Sequence, residues 1–90
     1  MDIITQWPAK YASEVKDYAI DWSRRLGTDT IAASSWSIPV EITQDSSTFT
    51  DTVATVWLSG GTAGKYLLTN EITTAGGRTL KVALYLDVEA

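Results

Sequence analysis

The chain of 90 residues contains no cysteine and no histidine. Without cysteine, neither a disulfide bond nor a thiolate metal site can support the core. Histidine is the usual general base near neutral pH and the commonest metal ligand, so its absence removes a side chain on which many catalytic sites depend. The remaining carboxylates and hydroxyls show no spacing typical of a catalytic or metal site. We therefore expect a protein that is not an enzyme and that uses no cofactor or metal.

Positive charge is scarce, because seven basic residues stand against eleven acidic ones and leave a net charge of −4. The acidic residues are scattered along the chain, which argues against nucleic-acid binding through a phosphate-neutralising patch. No apolar run approaches the ~20 residues of a membrane span. The segment Met1 to Ile4 lacks the basic start and apolar core of a signal peptide. We expect no membrane contact and no targeting segment.

Period-two alternation of apolar residues is the strongest signal that is present. Residues 52–59 and 65–74 are rich in β-branched and aromatic residues and flank a loop with three glycines, which predicts a pair of strands around that loop. A last strand over 79–88 carries a branched aliphatic at every second position. The predicted core-facing residues of these three strands are Ala54, Val56, Leu58, Tyr66, Leu68, Ile72, Leu80, Val82, Leu84, Leu86 and Val88.

The first half of the chain is less regular. Between Tyr11 and Leu26, apolar residues at spacings of four, three, four and four fit one face of a helix, whereas the alternation of Tyr18, Ile20 and Trp22 fits a strand. We favour a short turn at 13–16 followed by a strand at 17–23. Further strands are predicted at 30–38, 40–44 and 48–50, with turns at 24–29 and 45–47.

Six to seven short strands, with turn signals about every eight to twelve residues, are typical of an antiparallel β-sandwich. We predict an all-β fold of immunoglobulin or fibronectin-III-like type. Residues 14–90 would form a single immunoglobulin-like β-sandwich domain, preceded by an extended N-terminal arm over residues 1–13. Tyr66 opens the penultimate strand, where such sandwiches place a tyrosine whose hydroxyl bonds back to the backbone.

Aromatic residues make up 10% of the chain and supply the candidate partner-contact residues. Trp57 and Tyr85 lie on the faces of their strands opposite the aliphatic sets, so they predict an exposed apolar patch. Such patches usually mark contact with another protein or a sugar. Trp7 and Tyr11 lie in the arm, which either covers one of these faces or takes part in the contact itself.

Two longer stretches carry a family resemblance, namely Asp17 to Ser23 (DYAIDWS) and Ala54 to Gly64 (ATVWLSGGTAG). With the shorter elements Phe49-Thr50-Asp51, Ile72-Thr73-Thr74 and Gly77-Arg78-Thr79, they extend over about residues 14–88. In these elements the chain resembles small proteins encoded in the structural regions of tailed bacteriophages and prophages, the phage fiber-tail adaptor proteins.

The resemblance implies a non-enzymatic virion component with an immunoglobulin-like fold, made in the host bacterial cytoplasm. Such a component would be present in many copies and would join the tail or neck to tail fibres through contacts with other virion proteins. Two alternatives stay open at this point. One is a capsid decoration or cement protein, and the other is a carbohydrate-binding module on the virion surface in which Trp57 and Tyr85 stack on glycans.

Overall fold

A computed structural model describes residues 5–90 and shows two β-sheets packed face to face. The elements in chain order are β1 (Thr5–Gln6), β2 (Lys10–Tyr11), β3 (Lys16–Asp21), α1 (Ser23–Leu26), β4 (Ile31–Ser37), β5 (Ile42–Phe49), β6 (Val53–Gly60), β7 (Gly64–Thr74) and β8 (Thr79–Glu89). Sheet A has the order β1-β8-β7-β4, with β2 also pairing with β8, and sheet B has the order β3-β6-β5. The predicted all-β sandwich of immunoglobulin-like type is thereby confirmed.

The described part of the N-terminal arm runs along β8. Thr5 lies opposite Leu84 and Lys10 opposite Val88, and both pairings are parallel, in contrast to the antiparallel pairings elsewhere in the two sheets. Trp7 packs into the core, where its ring stacks on Tyr18 with 4.4 Å between ring centroids. The division into an arm over 1–13 and a domain over 14–90 stays a prediction, and residues 1–4 of that arm lie outside the described residues.

The two strands that flank the glycine loop do not pair with each other, so the predicted strand pair is wrong. β6 belongs to sheet B and β7 to sheet A, and the loop between them crosses from one sheet to the other. Gly61 has φ of 107°, and a Cβ there would lie 3.2 Å from a methyl group of Val88. The glycine is therefore needed for a crossing close to β8. A short glycine loop fits a hairpin equally well, which is why the sequence did not distinguish the two.

β5 is one strand, where two short strands and a turn were predicted. Its register with β6 shifts between Gln44, opposite Leu58, and Ser46, opposite Trp57. Asp45 is the extra residue of this β-bulge, and its Oδ1 accepts a hydrogen bond from Ser59 Oγ at 3.0 Å. The sequence Asp-Ser-Ser, which is typical of a turn, therefore forms a bulge here. The bulge bends the strand but does not reverse its direction.

The structure confirms a strand, β3, over most of the segment for which the sequence fitted both a helix and a strand. The strand ends at Asp21, earlier than predicted, and the helical turn α1 follows where an irregular turn was expected. Asp21 Oδ1 accepts a hydrogen bond from the Ser23 amide at 2.9 Å, which supports the start of α1. Gly27, with φ of 64°, ends it. Trp22 therefore lies at the corner between strand and helix, and is buried there.

The core lies between the sheets and follows the predicted alternation. Among the predicted core-facing residues, Tyr66, Leu80 and Val82 are half-buried and the other eight are buried: Ala54, Val56, Leu58, Leu68, Ile72, Leu84, Leu86 and Val88. Tyr66 also makes the predicted bond to the backbone, because its hydroxyl donates to the Thr62 carbonyl at 2.7 Å. That hydrogen bond is exposed to solvent. Tyr66 therefore fixes the loop between β6 and β7 without burying its hydroxyl.

Candidate functional site

Trp57 lies on the outer face of sheet B, in the middle of the central strand β6. Its neighbours across the sheet are Asp17 on β3 and Ser46 on β5. The alternation along β6 sends Val56 and Leu58 into the core and leaves Trp57 with 41% of its surface exposed. The result is a large aromatic ring on the outer face of the sheet, with the short side chains of Asp17 and Ser46 on either side of it.

Tyr85 lies on the outer face of sheet A, opposite Leu67 on β7. The Lys65 ammonium stands 5.2 Å from the centre of the Tyr85 ring, close enough for a cation–π contact. Leu67 is 48% exposed, whereas Tyr85 is half-buried. A second patch therefore combines one aliphatic side chain with a ring that a lysine partly covers.

The structure does not bring the four sequence-predicted contact residues together. Trp57 and Tyr85 lie on opposite outer faces of the sandwich, so one glycan cannot stack on both. Trp7 is 8% exposed and belongs to the core. Tyr11 is 54% exposed at the end of β2, where its amide donates to Glu14 Oε1 at 2.7 Å. The contact role of these four residues stays a prediction, and Trp57 is the exposed aromatic residue among them that lies on the face of a central strand.

Lys10 is fully buried, and nothing in the sequence indicated it. Its Nζ donates to the carbonyls of Gly60 at 2.7 Å and Tyr11 at 2.9 Å, with Ala12 O at 3.4 Å. Burial lowers the pKa of this ammonium, while the nearby carboxylates of Glu14 and Asp45 oppose that shift. The side chain fastens the arm to the loop that crosses between the sheets. Its three acceptors are main-chain oxygens, which any sequence supplies, so no motif could have predicted the contact.

At the opposite end of the sandwich, Asp29 joins the start of β4 to the turn between β7 and β8. Its carboxylate accepts hydrogen bonds from the Thr74 hydroxyl and from the Thr30 and Gly76 amides, and Arg78 Nε lies 3.3 Å away. Together these donors hold the pKa of Asp29 at about 2. The Asp29 carboxylate is therefore a structural clamp, because both of its oxygens contact hydrogen-bond donors of the fold.

The described residues offer little for catalysis. Among them there is no group of three or more metal-binding side chains, and no helix long and apolar enough to cross a bilayer. One shallow depression on sheet A lies beside the ion pair between Lys81 Nζ and Glu71 Oε2, which are 3.7 Å apart. The surfaces that remain are faces and edges of sheets, which are suited to contact with other macromolecules.

Comparison with known proteins decides the family. A family model described as podophage GP4 fiber-tail adaptor protein gp77 matches residues 10–87, which is most of the chain. The chain belongs to this adaptor family. It is accordingly a phage structural protein and a component of the virion. The match includes β2 to β7 in full and β8 as far as Asp87, and with them the Trp57 face.

The other comparisons concern the fold. The chain is similar to the solution structure of the PKD domain from KIAA 1837 protein, with a TM-score of 0.51 and 20% sequence identity. The similarity covers 92% of this chain and 81% of that chain. Since the PKD domain has an immunoglobulin-like fold, it supports the sandwich architecture and carries nothing about function. No curated protein matches the chain.

Proposed function

We propose that this adaptor joins the tail or neck of the virion to its fibres through protein contacts centred on Trp57. Membership of the fiber-tail adaptor family supplies the class of partner, which is another virion protein. The exposed Trp57 ring on the outer face of sheet B is the observation that carries the choice of surface. Tryptophan is enriched among the few residues that dominate binding energy in protein interfaces.

The geometry around Trp57 suits such a contact. Ser46 and Asp17 stand beside it in register, and both are short enough to leave the ring accessible from above the sheet. The exposed 41% of the side chain corresponds to about 100 Å² of mostly apolar surface. Burying that area contributes at most about 2.5 kcal/mol, from which the costs of ordering the side chain and of desolvating its neighbours are subtracted.

Several copies are expected to act together in one particle. Phage tails are symmetric assemblies, and an adaptor that serves several fibres repeats around the same axis. Synthesis in the host cytoplasm, with assembly onto the tail there, belongs to the same proposal. The proposed adaptor role requires no catalysis, because joining two parts of the virion needs only surfaces that bind them.

The test compares exposed residues on the two outer faces. A phage that lacks this gene is complemented with wild-type protein, with Trp57→Thr, or with Leu67→Thr on sheet A as the matched control. We expect Trp57→Thr to be folded by circular dichroism yet to reduce the fibre content of purified particles at least tenfold, with Leu67→Thr unchanged. Normal fibre content in Trp57→Thr particles, or a defect confined to Leu67→Thr, would contradict the choice of surface.

Imaging of intact particles tests the adaptor position itself. Density for this chain between tail and fibre, with Trp57 at the contact, is the expected result. Density on the capsid lattice would replace the adaptor role with capsid decoration. Retained glycan binding by the isolated chain, lost in Trp57→Thr, would instead indicate a carbohydrate-binding module.

A further inference from the structure

The two sheets differ in how charge is distributed over their strands. In sheet A each lysine of β7 and β8 has a partner within the chain. Lys81 forms an ion pair with Glu71 at 3.7 Å, and the Lys65 ammonium stands over the Tyr85 ring. The strands of sheet B contain three aspartates and a single basic residue, Lys16. An excess of negative charge therefore lies on sheet B.

The nearest cations of the chain are turned away from the outer face of sheet B. The Lys16 ammonium lies 5.6 Å from the centre of the Tyr18 ring, which is buried between the sheets. The Lys10 ammonium is buried and bound to main-chain carbonyls, although the Asp45 carboxylate is close enough to attract it. Within residues 5–90, neither Asp17 nor Asp45 forms an ion pair, and both are exposed. Their charge is therefore accessible to a cation from another molecule.

Trp57 stands between these two carboxylates. Asp17 is its partner across β3, one strand spacing of about 5 Å away, and Asp45 directly precedes Ser46, its partner on β5. Asp45 Oδ1 accepts a hydrogen bond from Ser59 Oγ at 3.0 Å, and Ser59 shares the outer side of β6 with Trp57. The exposed indole ring is thus flanked by one carboxylate on each side.

Three other aromatic rings already have a cation from the chain itself. The pairs are Lys16 with Tyr18, Arg25 with Trp22 and Lys65 with Tyr85, with 5.6, 5.1 and 5.2 Å between cation and ring centre. Among the described residues no cation approaches Trp57 in this way. Tryptophan is the side chain that attracts a cation most strongly through its ring, and adjacent carboxylates add to the attraction. The features of this surface match a cation that a partner supplies.

We propose that Trp57, Asp17 and Asp45 form a recognition site for an arginine side chain of the virion protein that the adaptor contacts. This inference rests on the proposed fibre-attachment role and adds the chemistry of the partner. A guanidinium group is planar, stacks on an aromatic face and donates a fork of hydrogen bonds that matches a carboxylate. One arginine can therefore use the ring and Asp17 together. An ammonium group is compact and more strongly hydrated, which favours arginine over lysine.

Tyr11 is also an exposed ring beside carboxylates, and it serves as the comparison within the chain. Its neighbours are Glu14, whose Oε1 accepts a hydrogen bond from the Tyr11 amide, and Glu89, opposite it on β8. Tyr11 lies in the two-residue strand β2, whereas Trp57 lies on a central strand whose neighbours fix both carboxylates. A phenol ring also attracts a cation less strongly than an indole. We therefore expect arginine to bind at Trp57.

The experiment titrates the purified full chain with the peptide acetyl-Gly-Arg-Gly-amide up to about 50 mM, and NMR follows the amide and indole N–H signals. The control peptide carries citrulline, the neutral analogue of arginine, at equal ionic strength. We expect the arginine peptide to shift the indole signal of Trp57 and the amide signals of Asp17 and Ser46, with citrulline binding at least fivefold weaker. Trp57→Thr should abolish the shifts at Asp17 and Ser46, and Tyr11→Ser should leave them unchanged.

Two substitutions of Ser46 should change the binding in opposite directions. Ser46→Lys supplies a cation from the chain itself and should weaken binding of the arginine peptide at least threefold. Ser46→Glu adds a third carboxylate and should strengthen binding, a result that damage to the fold would not produce. Asp17→Asn should weaken binding about threefold, as expected for an exposed ion pair. Asp51→Asn, the same change at the opposite end of the sandwich, should have no effect.

Equal binding of the arginine and citrulline peptides overturns the proposal, as do shifts centred on Tyr11. Binding that Ser46→Lys and Ser46→Glu leave unchanged also overturns it. The fibre content of purified particles then separates this proposal from the attachment role. Loss of fibres in Trp57→Thr particles, with normal fibres in Ser46→Lys particles, would support attachment at Trp57 and overturn arginine recognition. Arginine binding by the purified chain, with normal fibres in both variants, would contradict fibre attachment and support the arginine site.

Discussion

The buried hydrogen bonds of Asn70 offer the sharpest test of how this small core is held together. Asn70 is fully buried on β7, and its Oδ1 accepts a hydrogen bond from Trp22 Nε1 at 2.9 Å. Its Nδ2 donates to Ser34 Oγ at 3.0 Å and to the Ser35 carbonyl at 2.9 Å. One side chain thus connects the corner after β3 to β4 across the sandwich.

Replacing Asn70 with alanine removes all three hydrogen bonds and leaves the Trp22 N–H buried without an acceptor. At about 1 kcal/mol for each net hydrogen bond, we expect Asn70→Ala to lower the free energy of unfolding by about 3 kcal/mol. A 90-residue domain has a total stability of roughly 5–13 kcal/mol, so the variant should still fold. With a urea m-value of about 1 kcal/mol/M, the unfolding midpoint should fall by about 3 M.

Urea unfolding followed by circular dichroism measures this loss, and Thr69→Ala is the matched control. Thr69 neighbours Asn70 on β7 but lies half-buried on the other face, so its replacement should cost about 0.5 kcal/mol or less. A double-mutant cycle with Trp22→Phe then isolates the Trp22–Asn70 bond and should give a coupling energy of about 1–2 kcal/mol. An Asn70→Ala loss below about 1 kcal/mol, or additive effects in the cycle, would refute the network as a stabilising unit.

Two further predictions concern the ends of the sandwich. The pKa of Asp29 is lowered to about 2, so its carboxylate stabilises the fold above its ordinary pKa of 3.8, and this contribution disappears as the pH falls from about 4 to 2. Thermal unfolding should therefore show a steeper loss of stability over that range in the wild type than in Asp29→Asn, and equal slopes would contradict the clamp. Tyr66→Phe removes the solvent-facing bond to Thr62 and should lower Tm by about 2–8 °C, equivalent to about 0.5–1 kcal/mol. Differential scanning calorimetry measures this shift with Tyr85→Phe as the control, and an unchanged Tm in Tyr66→Phe would show that the corner hydrogen bond contributes nothing.

Alternation predicted which residues enter the core, because successive side chains of a strand point to opposite faces. Val56, Leu58 and Leu84 are buried as expected, and the same alternation placed Trp57 on an outer face. The alternation of side chains along a strand does not indicate which sheet the strand joins. The sequence therefore predicted the inward and outward sides of β6 and β7, while their assignment to different sheets required the structure.

The buried polar residues could not be predicted for a different physical reason. Lys10 is held by main-chain carbonyls, which carry no sequence signal. Asn70 occupies an inward position in an otherwise apolar alternation, and its partner Trp22 lies 48 residues away along the chain. Such pairs become visible only when the fold brings distant segments together, so composition and spacing offer no means of finding them.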